Sequence, residues 1–140
     1  MKIFVVLSVI FIAFVVGINA VNNRPIIGIL DQNYDSDKKT YIAASYVKWV
    51  ESAGARVVPL FYKSWSVETM ESMLKNINGV IFPGGGMSFS GKYLSQLVTI
   101  FNYAKKANDA GNYFPLWGTC LGVCFVFVLF SIIKILKSYY

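Results

Sequence analysis

The chain of 140 residues contains no histidine and only two cysteines, Cys120 and Cys124. Without imidazole it lacks the side chain that most often binds metals and acts as a general base. Two cysteines four residues apart provide neither a disulfide framework nor a zinc site. We therefore expect no metal and no cofactor, and we find no general base in this sequence.

Acidic residues are also scarce, with seven against thirteen basic residues and a net charge of +6. A nucleic-acid surface would place its basic residues along one stripe and interleave them with aromatics. Here the lysines and arginines stand singly or in pairs along the chain. We interpret this charge as solvated surface and expect no nucleic-acid partner.

Residues 1–20 are typical of a signal peptide. Lys2 supplies the positive start, residues 3–16 form an apolar run, and Ala20 is a small residue suited to cleavage. The alternatives are an N-terminal anchor or a buried helix, but the run is shorter than the roughly 20 residues that a membrane span needs. We expect entry to the secretory route, and then the extracellular space or a vacuole or lysosome.

Short apolar runs alternate with amphipathic segments in the rest of the chain. The apolar runs predict buried strands over residues 25–30, 55–60, 79–82 and 114–117. Between them, helical spacing predicts helices over residues 41–53, from Ser66 to Ile77, and from Leu94 towards Ala110. Residues 31–40 are predicted to form a polar loop.

This alternation predicts an α/β fold with a doubly wound parallel sheet. Binding sites in such sheets lie beyond the carboxyl ends of the strands. The loop of residues 83–86, Pro-Gly-Gly-Gly, and Cys120 both follow strand ends. We therefore expect the glycine loop and Cys120 to face one crevice.

Cys120 lies between Gly118 and Gly122, where a predicted strand turns into a helix. Such a turn strains the cysteine backbone and leaves no room for flanking side chains, so it is typical of a nucleophile elbow. The N–H groups and dipole of the following helix favour a thiolate. We expect the N–H of Leu121 and an N–H of the glycine loop to form an oxyanion hole.

Four stretches resemble γ-glutamyl hydrolases, the thiol-dependent members of the class I glutamine amidotransferase-like superfamily, which has a flavodoxin-like fold. They are residues 24–30, 41–60, 78–85 and 113–122, and they occur in family order. The resemblance therefore covers Arg24 to Gly122.

The resemblance implies a cysteine-type omega peptidase that cleaves γ-linked glutamates from folylpoly-γ-glutamates. It makes Cys120 the nucleophile and assigns the oxyanion hole to Gly85 and Leu121, with the choice among the glycines at 84, 85 and 86 left open. Gly118 and Gly122 correspond to the supporting glycines of the elbow. The histidine and acidic residue that complete the family triad have no counterpart here.

After Gly122 the resemblance ends. We divide the chain into the signal peptide, a partial hydrolase-like domain over 21–122, and an apolar tail over 123–140. The tail is open to four interpretations: a buried helix, a membrane-seeking segment, translation past a coding junction, or a genuine new C-terminus. We favour a truncated or mis-joined product that is inactive.

The alternative function is a non-catalytic secreted or membrane-attached remnant that at most binds a γ-glutamyl ligand. A sheet that ends at its fourth strand exposes unpaired edges, and unpaired edges invite association. We therefore expect membrane adherence through the tail or homo-oligomers.

Overall fold

A computed structural model describes residues 22–35 and 39–138. The predicted signal peptide, residues 1–20, lies outside the described residues. Along the chain the elements are β1 (Ile26–Leu30), β2 (Gln32–Asp35), β3 (Lys39–Tyr41), α1 (Ala44–Ser52), β4 (Arg56–Leu60), α2 (Val67–Leu74), β5 (Gly79–Phe82), α3 (Gly91–Asp109), β6 (Leu116–Gly118) and α4 (Leu121–Ser138).

Four strands form one parallel sheet in the order β4-β1-β5-β6. Every residue of β5 is buried, as expected for an inner strand that is covered on both faces. On one face, Leu74 of α2 and Leu97 of α3 belong to the main hydrophobic core. On the other face, Val50 of α1 packs with Ile29 and Ile81. The predicted α/β fold with a parallel sheet is confirmed.

The start of α2 is also as predicted. Ser66 is the N-cap, and its hydroxyl accepts a hydrogen bond from the Thr69 N–H at 3.2 Å. Glu68 lies in the first turn, where negative charge complements the helix dipole. A hydrogen bond with Ser66 lowers the pKa of Glu68.

The predicted polar loop over residues 31–40 is wrong. This segment contains β2 and β3, which pair as an antiparallel hairpin with an irregularity between Asn33 and Asp35. The first helix accordingly begins at Ala44, not at Tyr41, which lies in β3. The hairpin strands lack an apolar face with period two, so hydrophobic periodicity gives no signal for them.

Helix α4 begins at Leu121, directly after Cys120, and continues across the predicted boundary between residues 122 and 123. Phe125 is buried, and its ring lies 5.5 Å from that of Phe82. Val123, Phe127 and Val128 are exposed although they are apolar. Among the residues that the structure describes, no helix is long and apolar enough to cross a membrane.

Candidate active site

Cys120 occupies the turn between β6 and α4, as the sequence predicts. Its φ is +52°, and within the described ranges it is the only residue other than glycine with a positive φ. This conformation costs an L-residue roughly 1–2 kcal/mol, because Cβ crowds the following carbonyl. The thiol is free and exposed. Strained backbone of this kind is concentrated at functional sites.

Gly118 and Gly122 allow this turn to close. A Cβ on Gly118 would lie 2.5 Å from the carbonyl carbon and oxygen of Gly122. A Cβ on Gly122 would lie 2.2 Å from the carbonyl oxygen of Phe82, at the end of β5. Since these neighbours are backbone atoms, no rotamer change relieves either clash. Glycine at both positions lets α4 start directly against the sheet.

The glycine loop over residues 83–86 and Cys120 face each other, as predicted. The Thr119 N–H donates to the Phe82 carbonyl at 3.1 Å, which ties the turn to the end of β5. A Cβ on Gly84 would lie 3.0 Å from the Cβ of Cys120 and 3.2 Å from the Thr119 carbonyl oxygen. The loop backbone therefore lies against the candidate nucleophile with no side chain between them.

The N–H groups around Cys120 differ in their hydrogen bonding. The Gly84 N–H donates to the Tyr46 hydroxyl at 2.9 Å. In the described part of the chain, the N–H groups of Gly85 and Leu121 have no hydrogen-bond partner. Of the three glycines that follow Pro83, Gly84 has its N–H bound to a side chain, whereas among the described residues the N–H groups of Gly85 and Gly86 are both free to bind a ligand. The roles of Gly85 and Leu121 stay predictions.

An open hollow of about 340 Å³ adjoins the turn. It is lined by Ser45, Tyr46, Trp49, Trp117 and Thr119. The rings of Trp49 and Trp117 lie 5.7 Å apart, and both are about half exposed. The hollow thus gives a small ligand a partly aromatic floor next to the residue that precedes Cys120.

A buried polar cluster behind the glycine loop was missed by the sequence analysis. It consists of Asp31, which directly follows β1, and Gln32, the first residue of β2, together with Tyr62 and Tyr93. Gln32 is 4% exposed, and its Nε2 donates to the Pro83 carbonyl at 3.0 Å. The polar run Asp31-Gln32-Asn33 directly after a buried strand is the signal that could have indicated this cluster.

Burial sets the protonation behaviour of this cluster. It raises the pKa of Asp31, which is 1% exposed, although hydrogen bonds from Thr40 and the Tyr62 N–H act in the opposite direction. Burial also raises the pKa of Tyr93 to about 12, and hydrogen bonding to Gln32 opposes that shift. Tyr93 is therefore neutral at ordinary pH.

Asp31 gives the chain a predictable pH dependence. In the unfolded chain, the carboxyl of Asp31 loses its proton at about pH 4, its ordinary pKa. In the folded chain it keeps that proton until the pH reaches its raised pKa. The free energy of unfolding therefore falls as the pH rises through this interval. Asp31→Asn keeps the acceptor for the Tyr62 N–H and should remove this fall.

Urea denaturation at a series of pH values checks this expectation for Asp31. The stability advantage of Asp31→Asn over the original chain should grow across the interval and stay constant above it. An advantage that is independent of pH would contradict the assignment.

No group of three or more His, Cys, Asp or Glu residues that could hold a metal ion occurs in the described ranges. The sequence as a whole contains no histidine. The arrangement at Cys120 therefore offers a thiol and backbone N–H donors, but no imidazole.

A free cysteine at a strained turn from a parallel strand into a helix is typical of the nucleophile position of an α/β hydrolytic domain. Comparison with known proteins gives the family. The Peptidase C26 family model matches residues 15–131, and the chain belongs to this family. The match extends beyond Gly122, where the resemblance read from the motifs ends.

Curated relatives with high identity are γ-glutamyl hydrolases. γ-Glutamyl hydrolase B of Dictyostelium discoideum is 48% identical over 113 residues, which cover 76% of this chain and 32% of that protein. The γ-glutamyl hydrolase of Rattus norvegicus is 45% identical, covering 79% of this chain and 36% of that protein. The γ-glutamyl hydrolase of Homo sapiens is 45% identical, and the match covers 71% of this chain and 33% of that protein. The chain thus spans about a third of the length of the relatives it matches.

Proposed function

We propose that Cys120 is the nucleophile of a thiol hydrolase site that acts on γ-glutamyl bonds, with folylpoly-γ-glutamates as the substrate class. The observation that carries this proposal is the exposed thiol held at a φ of +52° beside the glycine loop. The names of the relatives indicate that the bond they cleave is a γ-glutamyl bond, and the hollow next to Thr119 has room for part of a substrate.

The chemistry begins with attack of the Cys120 thiolate on the carbonyl carbon of the γ-linked amide. The electron pair of the carbonyl double bond moves to oxygen, and the N–H groups of Gly85 and Leu121 stabilise that oxyanion. Collapse of the intermediate breaks the carbon–nitrogen bond and leaves a γ-glutamyl thioester on sulfur. Water then attacks the thioester, releasing the γ-carboxylate and regenerating the thiol.

Two steps of this sequence need a proton carrier. The leaving amine must be protonated, and the water that attacks the thioester must be deprotonated. Because the 140 residues contain no histidine, we expect this chain by itself to release no glutamate from γ-glutamyl amides. Acylation by an ester with a good leaving group avoids the first requirement, since nitrophenolate leaves without a proton.

The test is single-turnover acylation with γ-glutamyl 4-nitrophenyl ester whose α-amine is acetylated, so that the amine cannot attack the ester and release nitrophenolate by closing a lactam. It is run above about pH 8.5, where an ordinary thiol is substantially ionised. We expect a stoichiometric release of nitrophenolate and a stable thioester, visible as the mass of one added acetylglutamyl group. The matched control is the α-glutamyl 4-nitrophenyl ester. Equal rates with the two esters would contradict recognition of the γ-linkage.

For location, the proposal is that residues 1–20 direct the chain into the secretory route, towards the extracellular space or a vacuole or lysosome. Cleavage after Ala20 would leave Val21 as the first residue. N-terminal sequencing of material secreted from a eukaryotic host checks this. Secreted chain that begins at Met1 would contradict it.

Association through α4 also stays a prediction. Val123, Phe127 and Val128 expose apolar surface along this helix. Exposed apolar surface of this kind favours contact with a membrane surface or with a second copy of the chain.

A further inference from the structure

The peptide group between Pro83 and Gly84 is held at both of its polar ends by side chains distant in sequence. The Gln32 Nε2 donates to the Pro83 carbonyl oxygen at 3.0 Å. The N–H of the same peptide group, on Gly84, donates to the Tyr46 hydroxyl at 2.9 Å. Two opposed hydrogen bonds on one planar group fix its rotation about the chain direction.

This fixation matters because the loop is otherwise unusually free. Residues 84–86 are all glycine, and glycine adopts a wide range of φ and ψ. Rotation of this peptide plane would change the direction of the next N–H, that of Gly85. An oxyanion hole stabilises charge only if its donors already point at the oxygen when the charge forms.

Gln32 also fills the space beside the loop. A Cβ at Gly85 would lie 2.0 Å from the Gln32 Oε1 and 2.9 Å from its Cδ. The glutamine side chain is buried, so it has little room to move away. One side chain therefore both binds the Pro83 carbonyl and packs against the Gly85 backbone.

We propose that Gln32 is a positioning residue that, together with Tyr46, fixes the Pro83–Gly84 peptide and thereby holds the Gly85 N–H towards the reacting carbonyl oxygen at Cys120. This inference rests on the proposed function. It adds a residue at the start of β2, which contacts the glycine loop.

Gln32→Met tests the proposal because methionine has a similar length but no donor for the Pro83 carbonyl. The matched control is Gln96→Met. Gln96 is a second buried glutamine, 1% exposed, and its Nε2 donates to the Trp65 carbonyl at 2.9 Å. Both variants are made in a Cys124→Ser background, so that Cys120 is the only thiol.

Two rates are compared for each variant. Acylation by γ-glutamyl 4-nitrophenyl ester develops an oxyanion, whereas alkylation by iodoacetamide reports only the access and ionisation of the thiol. We expect Gln32→Met to slow acylation about 10- to 100-fold and to leave alkylation unchanged. Gln96→Met should change neither rate. Equal losses in acylation and alkylation, or the same loss in Gln96→Met, would overturn the positioning role.

Tyr46→Phe keeps the proposal testable if Gln32→Met does not fold. It removes the acceptor of the Gly84 N–H and leaves Gln32 in place, and it should also lower the ratio of acylation to alkylation. An unchanged ratio would contradict the two-sided fixation of the peptide.

A further readout separates this inference from the proposed function. If the original chain is not acylated at all, the proposed function fails. The fixation itself is then read from amide hydrogen exchange at Gly84. Gln32→Met should speed this exchange roughly fivefold, as expected for the loss of one hydrogen bond, while Gln96→Met should not. Unchanged exchange in Gln32→Met would contradict the fixation.

Discussion

Gly122→Ala is expected to lower the free energy of unfolding by about 1–3 kcal/mol and to abolish acylation of Cys120. The added Cβ would lie 2.2 Å from the Phe82 carbonyl oxygen and 2.9 Å from its carbonyl carbon. Relief of this contact requires the start of α4 to move away from the end of β5. That movement displaces Cys120 from the glycine loop. Urea denaturation and the γ-glutamyl ester assay measure the two effects.

Gly86→Ala is the control for stability. Its added Cβ would meet no atom within 4 Å, and Gly86 does not have a positive φ. We expect its free energy of unfolding to stay within about 0.5 kcal/mol of the original. Equal destabilisation by the two variants would show that the fit of Gly122 against β5 is not what holds the turn.

The second large effect concerns the two cysteines. Cys120→Ala should reduce nitrophenolate release to the level of the buffer, whereas Cys124→Ala should retain the full stoichiometric release. Both thiols are free and exposed, so accessibility does not distinguish them. Cys124 lies inside α4, and its N–H donates to the Cys120 carbonyl at 3.3 Å. It has neither the strained turn nor the glycine loop beside it.

Retained release in Cys120→Ala would assign the reaction to another nucleophile. Loss of release in both variants would indicate that the start of α4, rather than the thiol of Cys120, is what the substitutions disturb. Circular dichroism of the two variants distinguishes this second outcome, because a disturbed helix loses ellipticity and an intact one does not.

The parts of the site that are local in sequence could be predicted. Gly118, Cys120 and Gly122 lie within five consecutive positions after an apolar run, so the strand, the turn and the helix start follow from residue types alone. Cys120 and the glycine loop are expected to face each other because the carboxyl ends of parallel strands lie at the same edge of the sheet. The structure places Gly84 against Cys120 accordingly.

The fixation of the glycine loop could not be predicted in this way. Gln32 and Pro83 are separated by 51 positions, and one sequence contains no signal for that pairing. Tyr46 has the helical spacing of a core residue, which hides the hydrogen bond of its hydroxyl with Gly84. Gln32 lies in the hairpin that lacks an apolar face, so the segment resembles a loop.

The most direct test of the account is to locate the glutamyl group after a single turnover with γ-glutamyl 4-nitrophenyl ester. Proteolysis at mildly acidic pH preserves the thioester, and tandem mass spectrometry then assigns the modified residue. The account predicts one glutamyl group on Cys120 and none on Cys124. A group on Cys124 or on lysine side chains, with Cys120 unmodified, would contradict the assignment of Cys120 as the nucleophile.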